Sequence, residues 1–208
     1  METQPASLLP LILASASPRR RRLLAELGHS FQVLPADVDE TPPEGLSAER
    51  VAEELALQKA VKVAGQVAAG TIIGADTVVV SAEGTLLGKP ADPRDAARIL
   101  ETLSGSTHRV ITALALIHQP GGARVLGHAS TSVSMRQLTR EEIDEYVATG
   151  EPFGKAGAYA IQERGDRFVT RLDGPYDNVV GLPGRLFGEL LDALAWRVHE
   201  TRRKEGKS

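Results

Sequence analysis

The feature that most constrains the fold is the run TIIGADTVVV, residues 71–80, which is apolar and rich in β-branched side chains over almost its whole length. Because polar and apolar residues do not alternate in it, the run predicts a central strand that is buried on both faces. Strands are also predicted at Leu8 to Ala14 and at Phe31 to Val38, and helical patterns separate the three. Strands that alternate with helices in this way indicate an α/β fold around a mixed sheet.

Capping residues mark the starts of three predicted helices, because Ser and Thr side chains accept hydrogen bonds from the N–H groups of the first turn. They are Ser17, Ser47 and Thr139, and Glu142 completes a capping box with Thr139. Helices are predicted at residues 18–27, 48–69, 92–103, 139–150 and 184–200. Further strands are predicted at residues 108–118, 123–135, 154–162 and 167–174, of which the first two form a hairpin. We expect one domain over residues 1–208, with an ordered core at about 8–195 and a solvated tail at 200–208.

Composition excludes several classes of protein. The net charge of −3 and the aromatic content of 4% argue against a nucleic-acid partner. The absence of cysteine excludes disulfides, thiolate metal sites and cysteine nucleophiles. No apolar run has the length of a membrane span, and the apolar start LLPLILA lacks the charged leader of a signal peptide. We therefore expect a cytoplasmic protein with no membrane partner, and the sequence leaves a homodimer open.

Four consecutive arginines, residues 19–22, stand at the start of the first predicted helix. Cations are unfavourable there, because the unpaired N–H groups of a helix start carry partial positive charge. We interpret Arg19 and Arg20, in the first turn after the N-cap Ser17, as part of an anion site, since guanidinium groups bind phosphate in bidentate fashion. Arg21 and Arg22 are expected to face solvent or neighbouring acidic residues, because successive helical residues diverge by about 100°.

Two charged residues interrupt apolar patterns. Asp76 lies inside the predicted central strand, where a carboxylate needs a cation, a metal ion or a hydrogen-bond network. A structural aspartate that accepts backbone N–H bonds at a strand end is the alternative. Lys59 falls within the apolar face of its helix, where it either extends to solvent or meets a buried anion. We favour the buried anion, because Arg19, Arg20 and Asp76 also require partners.

Other candidate groups lie in predicted loops. Lys89 in LLGKP and Lys155 in GEPFGKAGAY each follow a glycine, which lets the backbone approach a ligand closely. The acidic loop DVDE, residues 37–40, carries oxygen ligands suited to Mg²⁺ or Mn²⁺, although a solvated turn explains it equally well. The motifs GxGxxG, GxxxxGK[ST] and GxSxG do not occur. Scattered cations with carboxylates fit a polyphosphate ester, a divalent metal and a carboxylate that activates water.

The order of eight segments resembles the Maf family of nucleoside triphosphate pyrophosphatases from about Leu11 to Leu191. The segments are LASASPRR, DVDE, LALQKA, GADTVV, LGKP, LSGSTHRVITA, YVATGEPFGKAGAYAIQ and NVVGLP. The resemblance implies an elongated mixed sheet with a cleft between two lobes. It also implies metal-dependent hydrolysis of a nucleoside triphosphate to monophosphate and pyrophosphate. GKAGAYAIQ resembles the branch of the family that acts on dTTP and UTP.

The resemblance also implies roles for individual residues. Asp76 matches the proton acceptor, and the positions tied to substrate choice are Arg19, Thr77 and Gln162. Phosphate contacts are implied for Arg20, Lys59, Lys89 and Lys155, and a metal ligand for Glu40. We expect Ser17 and the helix start to help hold the triphosphate and a divalent metal to bridge Glu40 and Asp76. Asp76 acts in this hypothesis as base, metal ligand or both.

Gln162 has a physical reason to read a pyrimidine, because its amide offers a donor and an acceptor to the O4 and N3–H edge. Glu163 follows it, where the family usually has glycine. The Glu163 side chain either reshapes the base-binding loop or faces solvent while Gly165 makes the turn, so base preference is less constrained than reaction type. The main alternative function is a nucleotide-binding regulator of cell division that needs no turnover, as the family's septum-inhibitor name suggests.

Overall fold

The computed structural model describes residues 8–205, so the last three residues of the expected tail lie outside the described residues. Its strands are β1 (Leu11–Leu13), β2 (Phe31–Val33), β3 (Gly70–Val80), β4 (Leu86–Leu87), β5 (Thr107–Gln119), β6 (Ala123–Met135) and β7 (Val169–Asp173). Its α-helices are α1 (Pro18–Glu26), α2 (Ala48–Ala64), α3 (Pro93–Leu103), α4 (Arg140–Ala148), α5 (Tyr176–Val180) and α6 (Gly184–Glu205). Short 3₁₀ helices lie at Ala156–Ala158 and Arg164–Phe168.

The strands of the described residues form one mixed sheet in the order β2-β1-β3-β5-β6-β7, with β4 paired to β3. β1 is parallel to both β2 and β3, whereas β4 is antiparallel to β3 and β7 is antiparallel to β6. The predicted α/β class and mixed sheet are therefore confirmed. The predicted central strand is also confirmed, since every residue of β3 except Thr77 is buried.

The chain forms two compact units. Within the described residues, the first comprises residues 8–76, 113–128 and 181–205, and the second comprises residues 77–112 and 129–180. The expectation of one domain over the whole chain stays a prediction. No described helix is both long enough and apolar enough to cross a membrane.

The first unit has its own hydrophobic core. Side chains of β1 and β3 pack there with Leu24 of α1 and with the inner face of α6, which contributes Phe187 and Leu194. The Ser17 side chain accepts a hydrogen bond from the N–H of Arg20, as predicted for the N-cap of α1. The Ser47 side chain caps α2 in the same way, but α2 ends at Ala64 rather than at residue 69. α6 runs five residues beyond its predicted end at residue 200.

The second unit contains the main error of the sequence-based assignment. Residues 154–162 are not a strand, because Gly157 has φ +75° and Ala158 has φ +58°, and neither angle fits extended backbone. The predicted capping box of Thr139 and Glu142 at α4 is confirmed. Asp92, predicted as the first residue of its helix, is instead the N-cap of α3. The short elements β4 and α5 were not predicted, since each is too brief to show periodicity.

Candidate active site

A buried ammonium group lies between two carboxylates in the first unit. Nζ of Lys59 lies 2.6 Å from Oδ1 of Asp76 and 2.7 Å from Oε1 of Glu40. The side chains of Lys59 and Asp76 are only 7% and 11% exposed, whereas that of Glu40 is 40% exposed. The prediction that Lys59 meets a buried anion is therefore confirmed. The alternative in which Asp76 accepts bonds at a strand end is wrong, because β3 continues to Val80.

A glycine explains how α2 comes close enough to β3 for this contact. A Cβ atom on Gly74 would lie 2.1 Å from the carbonyl oxygen of Ala56 and 2.8 Å from the nitrogen of Ala60. Gly74 and Asp76 are two residues apart in β3 and so share one face of the sheet. The backbone of α2 rests directly on that face beside Lys59. We did not single out Gly74 from the sequence, although a glycine inside a β-branched run is a known sign of close backbone approach.

Arg20 is held beside this pair by neutral oxygen atoms. Its Nε donates to the carbonyl oxygen of Gly181 at 3.0 Å, and its guanidinium also donates to Oγ of Ser15 at 3.2 Å. Burial lowers the pKa of the Arg20 guanidinium. The charge of Asp76 raises this pKa, that of Arg19 lowers it and that of Glu40 raises it. Arg20, one of the two arginines predicted for the anion site, therefore lies in the field of both carboxylates.

The other arginines divide as the helical geometry predicts. Arg21 and Arg22 are exposed, and Arg22 forms an ion pair with Glu26 at 2.7 Å. Arg19 is half-buried, and its guanidinium forms no ion pair or hydrogen bond with any residue between 8 and 205. A half-buried cation at a helix start is well placed to receive an anion.

The carboxylates of Glu40 and Asp76 lie close to each other. Oxygen atoms of Glu40 and Asp76 contact the same ammonium nitrogen, so they are separated by no more than the sum of those two contact distances. Mg²⁺ is commonly bound by one or two carboxylates together with substrate phosphates. Within residues 8–205, no group of three or more His, Asp or Glu side chains has the geometry of a metal site. Asp39 accepts hydrogen bonds from Thr41 instead, as in a solvated turn.

In the second unit, a chain of hydroxyl groups fixes Thr77. Oγ1 of Thr112 donates to the carbonyl oxygen of Asn178 at 2.8 Å, which uses its only proton. Oγ1 of Thr77 lies 2.9 Å from Oγ1 of Thr112 and is therefore the donor of that bond. The buried amide of Asn178 donates to the Val110 carbonyl oxygen and to Oγ1 of Thr131, each at 2.9 Å. Thr112 lies in the segment LSGSTHRVITA and Asn178 in NVVGLP. Their polarity alone did not distinguish them from packing residues.

The remaining candidates also lie in the second unit. Lys89 is exposed, and the carbonyl oxygen of Gly88 beside it accepts a bond from the N–H of Gly157 at 3.2 Å. Lys155 donates to the Glu151 carbonyl oxygen and lies 3.9 Å from Oε1 of Glu163. The structure thus joins the two glycine-lysine loops through their backbones.

Gln162 is half-buried, and Glu163 after it is exposed, so the solvent-facing alternative for Glu163 holds. Gly165 lies in the turn after it, as expected, since the N–H of Asp166 donates to the Glu163 carbonyl oxygen at 3.2 Å. A Cβ atom on Gly165 would lie 2.7 Å from the Ala160 carbonyl oxygen, so close packing is what requires the glycine.

The predicted residues are therefore found in two groups, one in each unit. The first unit holds Ser17, Arg19, Arg20, Glu40, Lys59 and Asp76. The second unit holds Thr77, Lys89, Lys155 and Gln162. Buried His108 is not among them: Nε2 of its ring contacts the Tyr159 hydroxyl at 2.8 Å, and burial lowers its pKa to about 4, as for a packing residue.

The chain is similar to known proteins over nearly its whole length. The family model described as "Maf-like protein" matches residues 10–194. The dTTP/UTP pyrophosphatase of Pelotomaculum thermopropionicum is 47% identical over 188 residues, which cover 90% of this chain and 98% of that protein. The protein of the same name from Moorella thermoacetica is 50% identical over 181 residues, which cover 87% and 93%. The solved Staphylococcus aureus Ham1 protein covers 60% of this chain and 71% of its own, with 15% identity and a TM-score of 0.43, too weak a likeness to bear on the fold.

Proposed function

We propose, from the premise that the chain belongs to the family of Maf-like proteins, that it is a nucleoside triphosphate pyrophosphatase acting on dTTP and UTP. The observation that carries the proposal is the buried ammonium of Lys59 between the carboxylates of Asp76 and Glu40, with Arg20 beside them. Fixed cations bind a polyphosphate, and a carboxylate among them is placed to activate water. Relatives that share 45–50% of residues with this chain carry the name dTTP/UTP pyrophosphatase.

The reaction balances as a hydrolysis of the bond between the α and β phosphates. A water oxygen bonds to the α phosphorus, the bridging oxygen leaves with pyrophosphate, and the monophosphate remains. Asp76 accepts the proton of the attacking water in this proposal. One of its oxygens is bound to Lys59, so its other oxygen is the proposed acceptor.

The triphosphate is held by cations and by a helix start. Arg19 and Arg20 stand in the first turn of α1, whose N–H groups and Ser17 cap favour an anion. The Lys59 ammonium has three donors, so it contacts phosphate through the third while it stays bound to Asp76 and Glu40. Lys89 and Lys155 keep the phosphate-contacting roles that their motifs imply.

A divalent cation, Mg²⁺ or Mn²⁺, belongs to the proposal, with Glu40 and Asp76 as its protein ligands. When bound, such an ion neutralises charge on the phosphate oxygens. Asp76 is then both ligand and proton acceptor, because a carboxylate has two oxygens and several lone pairs.

Base choice is assigned to Gln162, Thr77 and Arg19. The Gln162 amide pairs with the O4 and N3–H edge that thymine and uracil share. A methyl group at C5 adds little discrimination, so both dTTP and UTP are expected substrates. Because these substrates are cytoplasmic, we place the enzyme in the cytoplasm, as a monomer or homodimer, without nucleic acid or membrane as partner.

A panel of nucleoside triphosphates tests the proposal. Pyrophosphate release is measured for dTTP, UTP, CTP, ATP and GTP with Mg²⁺ or Mn²⁺, in water enriched in ¹⁸O. We expect release from dTTP and UTP, with one ¹⁸O in the monophosphate and none in the pyrophosphate. Tight nucleotide binding without release would support the regulator of cell division instead, which needs no activated water. Label in the pyrophosphate would contradict attack at the α phosphorus.

A further inference from the structure

We propose that Glu151 is a positioning residue for the segment of residues 155–162, here called the recognition segment, and thereby for discrimination between bases. The proposal rests on the function proposed above, which assigns phosphate contact to Lys155 and base recognition to Gln162. All of the contacts that support it lie within the second unit.

The Glu151 carboxylate holds the chain just after Gln162. Its Oε1 accepts from the N–H of Gly165 at 3.1 Å, and its Oε2 accepts from the N–H of Arg164 at 3.2 Å. Two backbone donors on one carboxylate form charge-assisted hydrogen bonds, which are about twice as strong as neutral ones. This end of the recognition segment is therefore fixed by a side chain rather than by a strand ladder.

The same residue contacts the beginning of the recognition segment. The Glu151 carbonyl oxygen accepts a hydrogen bond from the ammonium of Lys155, whose side chain is only 14% exposed. The Glu163 carboxylate is more distant, at 3.9 Å from that ammonium, and half of its side chain is exposed. The backbone of Glu151 thus positions the Lys155 ammonium, and its carboxylate positions the backbone just after Gln162.

Tyr146 connects Glu151 to the middle of the recognition segment. Its hydroxyl donates to Oε1 of Glu151 at 2.6 Å and accepts from the N–H of Ala160 at 3.2 Å. Burial raises the pKa of Tyr146, and the bond to Glu151 raises it further, so the hydroxyl keeps its proton. Because that single proton goes to Glu151, the lone pair of the hydroxyl is available to Ala160.

The recognition segment needs such fastening because its backbone is irregular. Gly157 and Ala158 are left-handed, so neighbouring N–H groups cannot join a strand ladder and must find other acceptors. Gly165 also packs closely, since a Cβ atom there would lie 2.8 Å from the Tyr146 hydroxyl. A small movement of Glu151 would therefore be transmitted to the backbone that carries Gln162.

Substitution of Glu151 tests the assignment. Glu151→Gln keeps the shape of the side chain. Its NH₂ group, however, must face the N–H of either Arg164 or Gly165, which brings two donors together without an acceptor. Tyr146→Phe keeps the ring and removes only the hydroxyl. Glu145→Gln, at an exposed position on α4, is the matched control. For each variant, kcat and KM are measured with UTP and CTP, and amide hydrogen exchange is measured over residues 155–165.

We expect Glu151→Gln and Tyr146→Phe to reduce the kcat/KM ratio of UTP over CTP by about tenfold, mainly through KM for UTP, with kcat within about threefold. Exchange at Ala160, Arg164 and Gly165 should accelerate, and Glu145→Gln should change nothing. If both variants have the same ratio of kcat/KM for UTP over CTP as wild type, the assignment is overturned. This holds whether wild type itself does not discriminate or the variants are only less stable.

A wild type that releases no pyrophosphate would overturn the proposed function alone. In that case, unchanged exchange over residues 155–165 in both variants would overturn the positioning role, and accelerated exchange would support it.

Discussion

The ammonium nitrogen of Lys59 lies 2.6 Å from Oδ1 of Asp76, inside the first unit and almost out of contact with solvent. Lys59 comes from α2 and Asp76 from β3. The apolar pattern of neither element explains why a charged residue lies within it. A buried ion pair of this kind contributes little net stability, but removal of one partner leaves the other charge uncompensated. The pair is therefore better explained by the chemistry of a site than by folding.

Replacement of Lys59 by methionine should destabilise the protein and reduce turnover. The carboxylates of Asp76 and Glu40 lose their common cation, so we expect the free energy of unfolding to fall by roughly 3 kcal/mol. Pyrophosphate release should fall by about a hundredfold or more. Lys62→Met, the same change at an exposed position of α2, is the control and should leave both quantities nearly unchanged. Urea unfolding and a pyrophosphate assay measure the two effects, and equal behaviour of the two variants would refute the prediction.

Alanine at Gly74 should separate α2 from β3. The added Cβ atom would lie 2.1 Å from the Ala56 carbonyl oxygen, and backbone cannot yield as a flexible side chain does. We expect a loss of about 1–3 kcal/mol in the free energy of unfolding, as for other overpacked sites, and a loss of activity because Lys59 moves with α2. Gly188→Ala, in a helix with open space around it, should instead add up to about 1 kcal/mol. A stable and fully active Gly74→Ala protein would show that the close approach is not required.

Valine at Thr112 should disturb Thr77 without changing shape. The substitution removes the acceptor of the Thr77 hydroxyl and the donor to the Asn178 carbonyl oxygen. We expect about 1–3 kcal/mol of destabilisation and a loss of about tenfold in kcat/KM for dTTP.

Thr131→Val is the matched control for that change, because Thr131 bonds to Asn178 and to the Pro175 carbonyl oxygen but not to Thr77. It should lose similar stability and keep its activity. If both variants lose activity alike, the orientation of the Thr77 hydroxyl does not matter to the reaction.

The buried imidazole of His108 should make the protein sensitive to acid. Its pKa is lowered to about 4 in the folded protein, from 6.5 in the unfolded chain, because burial disfavours the charged form. The unfolded state thus binds more protons between pH 6.5 and 4, and stability falls as the pH drops through that window, by up to about 1.4 kcal/mol per pH unit. Unfolding of His108→Gln across pH 7.5 to 4.5 should show a flatter profile than wild type. The exposed His199→Gln variant is the control, and identical profiles for all three proteins would contradict the assignment.

Much of the fold was predictable because it depends on local signals. The caps at Ser17, Ser47 and Thr139 act within one helical turn, so the sequence alone places them. The buried character of β3 follows from an unbroken apolar run. Asp76 was recognisable because a carboxylate in such a run needs a partner wherever the chain goes.

The parts that could not be predicted depend on contacts between residues distant in the chain. Residues 154–162 are apolar enough for a strand, but hydrogen bonds to Tyr146 and His108 satisfy their polar groups in an irregular path. In the sequence, Glu151 is indistinguishable from other loop glutamates. Its role becomes visible only in the folded chain, where the N–H groups of Arg164 and Gly165 donate to its carboxylate. Long-range hydrogen bonds of this kind leave no periodic trace in the sequence.

The central claim is that the Asp76 carboxylate accepts the proton of the attacking water. Asp76→Asn keeps the shape of the side chain and an oxygen for Lys59, so nucleotide binding should remain within a few fold of wild type. The most direct measurement is single-turnover pyrophosphate release from UTP by this variant and by wild type, with Mg²⁺ at equal saturation. We predict a rate reduced by at least about a hundredfold in Asp76→Asn. A variant that releases pyrophosphate at nearly the wild-type rate would contradict the account.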